Sequence, residues 1–363
     1  MKKIIYIISA AVLCLCCSCN KISNGGSANT DGEKYNCRLT VNCGWGARTT
    51  KVAAQTATNE KTIQNVQVFV FRAGTGSDAG KLDVAASKGF DSPIGETSGT
   101  WSALEMKCST GEREIWAVVN DAVDHTAGSD AIANKEQFLG LTSELKNNTA
   151  TKLCMVGSAS ATLHEGRESI TVDVRRLCAS VILESVMNSF ASPGYQKTGV
   201  FKVTDCYLLN VPGKVNFGQS IEPASLAAAD WYARLSPETS SPQKDLIYDT
   251  VTPKVVEYGE YDSTIHTFYA YPNDCLFSTD ASWSPRATVL VLEALISDGN
   301  AWNRYYYPVA LTNGLQANKQ YRVNLIVKRP GSLDPNVPVT FDDVTPVVTV
   351  SDWQNGGSYN PEV

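Results

Sequence analysis

Histidine is scarce in this 363-residue chain: His125, His164 and His266 are the only three, and each stands alone in sequence. The seven cysteines beyond residue 19 contain no Cys-x-x-Cys and no spacing that would make a zinc site. His164-Glu165-Gly166-Arg167-Glu168 opens like a zinc-protease motif. It lacks the second His at i+4, and Gly166 places it in a hairpin turn, not on the helix that would align ligands on one face. Gly157-Ser158-Ala159-Ser160-Ala161 lacks the closing Gly of a nucleophile elbow, and Ser143 to Lys146 spells Ser-x-x-Lys with no Ser-Asp-Asn after it. No Gly-rich phosphate loop occurs. Glu112 with Glu114, and Asp342 with Asp343, read as solvated strand ends. The sequence therefore gives an enzyme reading almost nothing, and neither a metal nor a cofactor is expected.

Two further features are missing. The 31 Lys and Arg against 37 Asp and Glu give a net charge of -6 with no long block of one sign. Nucleic acid is thereby excluded as a partner, because phosphate neutralisation needs a basic face. There is also no apolar run of the roughly 20 residues a spanning helix needs. Ile4 to Leu15 is shorter and comes after the basic Met1-Lys2-Lys3, which is the layout of an export signal. Cys14, Cys16, Cys17 and Cys19 come next, and Ser18-Cys19 is similar to a bacterial lipobox. Cys16 stands where Leu is usual, so Cys17 is a second position for the lipidated residue. Residues 20–35, rich in Gly, Ser and Asn, form a flexible tether.

Beyond the tether the chain is β-patterned. In NCRLTVNCGW, Cys37, Leu39, Val41, Cys43 and Trp45 share one parity and Arg38, Thr40 and Asn42 the other, the signature of a half-buried strand. Next to it lies a Gly-flanked turn carrying Arg48. Ile63 to Phe71 and Arg113 to Asn120 are apolar on both faces and are expected between two layers. Ser169 to Val174 alternates, and Leu177 to Leu183 continues as another strand. Asn134 to Leu145 starts like a capping box and repeats Phe138, Leu141 and Leu145 at helical spacing. The Ser/Pro/Gly-rich stretch 188–199 reads as a domain boundary. Strands resume at Val200 to Asn210, Thr264 to Tyr271, Ala287 to Ile296, Arg304 to Leu311 and Gln320 to Lys328, with a short helix at Pro223 to Leu235. The expected fold is mainly β: two antiparallel sandwiches in series, residues 36–190 and 198–335, with few short helices. Residues 336–363 form a Pro-rich spacer and a short β-prone segment, a plausible arm that pairs elsewhere. The other cysteines, Cys108, Cys154, Cys178, Cys206 and Cys275, sit mostly in strand-like apolar surroundings where a free Cys behaves as a small hydrophobe. Their odd total with Cys37 and Cys43 cannot pair completely within one chain.

The chain resembles the fimbrillin, or FimA-like, family of Bacteroidetes type V pilins. The residues carrying the likeness are Asn65-Val66-Gln67-Val68-Phe69-Val70-Phe71, Trp116-Ala117-Val118-Val119-Asn120, and Val174-Arg175-Arg176-Leu177-Cys178-Ala179-Ser180-Val181. They continue with Tyr207-Leu208-Leu209-Asn210-Val211-Pro212-Gly213, Asn318-Lys319-Gln320-Tyr321-Arg322-Val323-Asn324 and Val350-Ser351-Asp352-Trp353. The resemblance implies two transthyretin-like sandwiches, export as an outer-membrane lipoprotein and assembly into surface fimbriae. It implies lipidation at Cys19 and removal by an Arg-specific protease of everything up to Arg48, including the strand at 36–48, so that Thr49 becomes the new N-terminus. The groove left behind would be filled by a strand of another subunit. Val344, Val348, Val350 and Trp353 are the expected pocket-filling residues. A tip or anchor subunit is the alternative position. A different class is a monomeric surface lipoprotein binding glycans or host protein through Trp283, Trp302 and the Tyr305-Tyr306-Tyr307 run, aromatics that strand packing also explains.

Overall fold

The computed structural model describes residues 22–23, 35–44, 62–95, 100–128, 131–311, 314–340 and 343–353. Alternation of apolar and polar residues makes most of these strands, and the four larger sheets they form fall into two groups.

The first group has two sheets. One is built from β1 (Cys37–Gly44), β4 (Thr100–Cys108) and β7 (Gly166–Asp173), in the order β4-β1-β7. The other has the order β3-β2-β5-β6, from β2 (Val66–Arg72), β3 (Leu82–Lys88), β5 (Gly111–Val119) and β6 (Met155–Leu163). Ile22–Ser23 and Arg175–Arg176 extend its two edges. Leu39, Val41, Leu104, Met106 and Val172 from the first sheet share one buried core with Val66, Val68, Val70, Ile115, Ala117 and Val119 from the second. Gly166, at a φ of +109°, begins β7 in the turn after β6, the hairpin position its sequence indicates.

The apolar character of β2 and β5 on both faces has a direct structural counterpart. While Val66, Val68 and Val70 face the sandwich core, Phe69 and Phe71 face outward and join the larger core that runs through the second half of the chain. The bridge is aromatic. Phe138 of α1 (Lys135–Gly140) has its ring 5.0 Å from that of Phe69 and 5.5 Å from that of Phe217. Such tilted contacts add to the burial of the rings themselves.

The second group also has two sheets. One orders β11 (His266–Ala270), β8 (Ala179–Asn188), β14 (Lys319–Val327) and β15 (Val344–Asp352), with β8 parallel to β14. The other orders β10 (Tyr248–Val255), β9 (Phe201–Leu209), β12 (Val289–Ser297) and β13 (Trp302–Ala310), all antiparallel. Tyr321, Val323, Leu325 and Val327 are buried along β14, as their shared parity predicts.

Three expectations differ from the fold. The strand at 177–183, which reads as the close of the first domain, belongs to β8 and pairs with β11 and β14, so the sheets part before the Ser/Pro/Gly stretch at 188–199. Composition marks that stretch because it is a surface connection, although the chain has already crossed over. The helix expected over 134–145 is only α1. Asn134 caps it, its Oδ1 accepting from the Gln137 amide at 2.9 Å, but residues 142–144 leave to pair with Lys214–Asn216. Cross-strand bonds there outweigh helical spacing. Pro223 to Leu235 forms two 3-10 turns at 223–225 and 228–230, not one helix. A single helical turn at Lys244–Ile247 has no counterpart among the expected elements.

Candidate functional site

β1 is the middle strand of its sheet. It runs antiparallel to β4 and parallel to β7, paired along its whole length on both sides, with one register shift against β4 between Val41 and Asn42. Cys37, Leu39, Val41 and Cys43 are each no more than 1% exposed and form part of the sandwich floor. The opposite face is polar: Asn42 donates to the Ser169 hydroxyl at 3.1 Å, and Asn36, just before the strand, donates to Glu165 at 2.9 Å. Burial of Leu39 and Val41 alone is worth about 1.5–3 kcal/mol apiece. Withdrawal of β1 would therefore open a slot with an apolar floor and two unpaired walls, β4 and β7, each an open template for another strand. Trp45, Arg48 and Thr49, at and beyond the end of β1, and Cys19 ahead of it, lie outside the described residues.

β15 is built in the opposite way. It is an edge strand, antiparallel to β14 on one side. The row Val344, Pro346, Val348, Val350 lies on one parity, yet only Val344 is buried, Val348 is half-buried, and Val350 is 45% exposed. On the other parity Val347 is 50% exposed. The strand pairs with β14 along its whole length, and its buried side chains, Val344 and Trp353, are at its two ends. Trp353 stacks on Tyr269 with centroids 5.7 Å apart, and the Arg176 guanidinium lies over its ring. Its indole N–H, though buried, donates to no acceptor among the described residues. The Trp353 amide donates to the carbonyl of Asn318 at 2.9 Å.

Asn318 is a junction. Its backbone takes a φ of +57°, its amide donates to the Cys178 carbonyl at 2.9 Å, and its Oδ1 accepts from the Arg176 amide at 3.3 Å. One residue thus ties the crossover between the two groups of sheets to the end of β15. Asn120 and Asn210 hold the same left-handed conformation, at φ values of 63° and 59°. The Asn120 side chain accepts from the Gln64 amide at 2.7 Å and donates to the Thr62 carbonyl at 2.9 Å. Asn tolerates this region far better than β-branched residues do. The signal in the sequence is an Asn directly after an apolar strand, which reads as a strand end but not as a knot.

β1 and β15 are not brought together: they lie in different sheets of the same chain. The structure thus places Val344, Val348 and Val350 on the edge strand of their own sheet, with Trp353 directly after it.

The other residues singled out resolve into packing. The Ser143 hydroxyl is buried against the Tyr271 hydroxyl at 2.8 Å, and Lys146 pairs with Glu144. Lys197-Thr198-Gly199, a Lys-Thr-Gly run not singled out above, lies in the loop before β9, where the Gly199 amide donates to Glu257. His125 lies 3.2 Å from Asp121, His164 lies 3.1 Å from Glu168, and His266 lies 2.8 Å from Asp249. No group of three metal-ligating side chains forms among the described residues. Tyr307 is fully buried and donates to the Arg329 carbonyl at 2.9 Å, and Trp283 packs edge-on against Trp231 at 5.6 Å. Trp302 is 41% exposed with the Lys202 ammonium 3.9 Å from its ring centroid.

Residues 37–191 match the family model of the major fimbrial subunit protein FimA, a match that begins at the first residue of β1. No curated protein sequence matches the chain. A candidate cell adhesion protein from Bacteroides eggerthii shares the fold with a TM-score of 0.64 at 19% identity, over 91% of this chain and 99% of that one. A fimbrilin, FimA, from Porphyromonas gingivalis does so with a TM-score of 0.59 at 14% identity, over 90% and 99%. A second candidate cell adhesion protein, from Parabacteroides distasonis, gives 0.60 at 16%, over 88% and 99%.

Proposed function

We propose that the chain, whose residues 37–191 match the family model of the major fimbrial subunit protein FimA, is a structural subunit of a cell-surface fimbria assembled by exchange of β-strands. The precursor is exported as a lipoprotein acylated at Cys19 and held at the outer membrane. An Arg-specific maturation protease cuts after Arg48, Thr49 becomes the N-terminus, and β1 leaves. The slot between β4 and β7 then receives β15 of the next subunit. The role is mechanical and not catalytic.

The observation that carries this reading is the position of β1: a central strand, apolar on its inner face, that precedes both of its sheet partners in the chain. A strand so placed is costly to lose, so its loss creates a strong demand for a replacement. β15 supplies a matching row. Val344, Pro346, Val348 and Val350 alternate with the period of two that Cys37, Leu39, Val41 and Cys43 show, and at home Val344 is buried, Val348 half-buried and Val350 exposed. Moving it into the slot would bury apolar area worth about 25 cal/mol per Å². Trp353, on the opposite parity, would leave its Tyr269 stack and cap the end of the slot. Pro346 constrains the exchange, since it donates no ladder bond. A donor on one surface and an acceptor on another make a heterologous contact that does not close, which generates a filament.

The docking of β15 on β14 favours one second reading, a tip or terminal subunit whose last strand stays in its own domain. Negative-stain microscopy of cells expressing the chain with and without residues 344–353 separates them. Fibres lost with the deletion support a polymerising subunit. Fibres of unchanged length and number contradict it.

A further inference from the structure

Cys37 opens β1 and Cys108 closes β4, and they are direct partners in the antiparallel ladder. Residues so opposed have Cα atoms about 4.5–5.5 Å apart, inside the 4.4–6.8 Å range that a disulfide spans. Both side chains lie on the core face, 1% and 0% exposed. No other pair of the described cysteines is placed opposite on adjoining strands: Cys43 faces Trp101 and Val172, and Cys206 faces Asp249 and Leu292.

We propose that Cys37 and Cys108 are joined as a disulfide when the chain is exported, which fastens β1 covalently to β4. The structure records both as thiols. Their oxidation removes two protons and two electrons. The electrons pass to the disulfide of an envelope thiol–disulfide oxidoreductase, which leaves as a dithiol after a mixed-disulfide intermediate. Burial pushes both thiols up, and the thiolate is the attacking species, so the bond forms while β1 is still docking and is shielded afterwards.

The consequence concerns release, and that part rests on the proposed removal of β1. A cut after Arg48 severs the chain on one side of the strand only. With Cys37 bonded to Cys108 the severed piece stays attached, and β1 leaves when a reductant opens the bond. Strand withdrawal thus needs two events, proteolysis and reduction.

The test uses the uncleaved precursor recovered from the cell envelope, denatured and alkylated without reductant, then digested with trypsin. Lys34, Arg38, Lys107 and Arg113 bound the peptides Tyr35–Arg38 and Cys108–Arg113, while Cys43 falls in a separate peptide. The expected result is a linked pair of these two peptides that disappears when the sample is reduced first. Both peptides recovered singly with alkylated cysteines, or Cys37 linked elsewhere, overturn the inference whatever the protease does. In a second arm the native precursor is cut at Arg48 and run in denaturant. The N-terminal piece should separate only with reductant in the wild type and without it in Cys108→Ser. Separation of the wild-type piece without reductant overturns the inference, whereas failure of the cut counts against the maturation reading and leaves the peptide result to decide the bond.

Discussion

The Arg176 guanidinium carbon lies 4.2 Å from the centroid of the Trp353 ring. Arg176 sits at the crossover between the two groups of sheets and Trp353 at the end of the last described strand, so this cation–π contact closes the far end of β15 against the middle of the chain. Contacts of this kind are worth about 2 kcal/mol when desolvated, and both residues are buried.

Replacing Trp353 by Ala removes the ring from between Arg176 and Tyr269. β15 should then undock locally while the rest of the fold persists, because its middle is barely buried. Amide hydrogen exchange across 344–352 should accelerate at least tenfold, with β14 changing far less. Equal acceleration in every sheet would mean that Trp353 holds up the global fold.

Leu39→Ala and Val350→Ala test the contrast between the two strands. Truncation at the fully buried Leu39 should cost about 2–5 kcal/mol in the precursor. Val350→Ala, on the exposed part of β15, should change stability by no more than about 0.5 kcal/mol. Urea midpoints measure both. The order should invert in the assembled state, where Val350→Ala weakens the filament and Leu39→Ala has left with the strand.

Much of this contrast is legible in the sequence. The parity of Cys37, Leu39, Val41 and Cys43 identifies a strand and its inner face, and the two-sided apolar pattern of Val66 to Phe71 places β2 between two layers. Local pattern cannot say that β1 lies in the middle of its sheet, since partners at 100–108 and 166–173 are chosen by long-range packing. For the same reason Leu177 to Leu183 reads as part of the first group of sheets although it pairs in the second: a continuous apolar run is equally content on either side of a crossover. The helical spacing of Phe138, Leu141 and Leu145 misleads because Thr142 to Glu144 find strand partners at 214–216. The roles of Asn120, Asn210 and Asn318 depend on left-handed backbone that no periodicity reports.

Asp262 gives the fold an acid-sensitive point. Burial pushes its carboxyl up, but bonds from the Lys254 ammonium at 2.6 Å and from the Thr264 hydroxyl at 2.7 Å and amide at 3.0 Å bring it below the usual carboxylate range. A carboxyl held low when folded stabilises the protein above its unfolded pKa, near 3.9, and that stabilisation is lost as pH falls through the lower folded value. Because Lys254 is half exposed, the effect is about 1 kcal/mol. Asp262→Asn should be less stable than the wild type at pH 7, with the difference shrinking below about pH 4. A difference that stays constant with pH would show that the charge of Asp262 plays no part.

The account turns on whether β1 is removed and replaced. The measurement that tests it most directly is light digestion of the purified precursor with an Arg-specific protease, in the presence of a thiol reductant, then N-terminal sequencing and an unboiled detergent gel. The account predicts a new N-terminus at Thr49 and a ladder of multimers, absent in Arg48→Ala and in a chain lacking residues 338–363. A product cut at Arg48 that remains monomeric, or a ladder that persists without the C-terminal segment, would contradict strand exchange through β15.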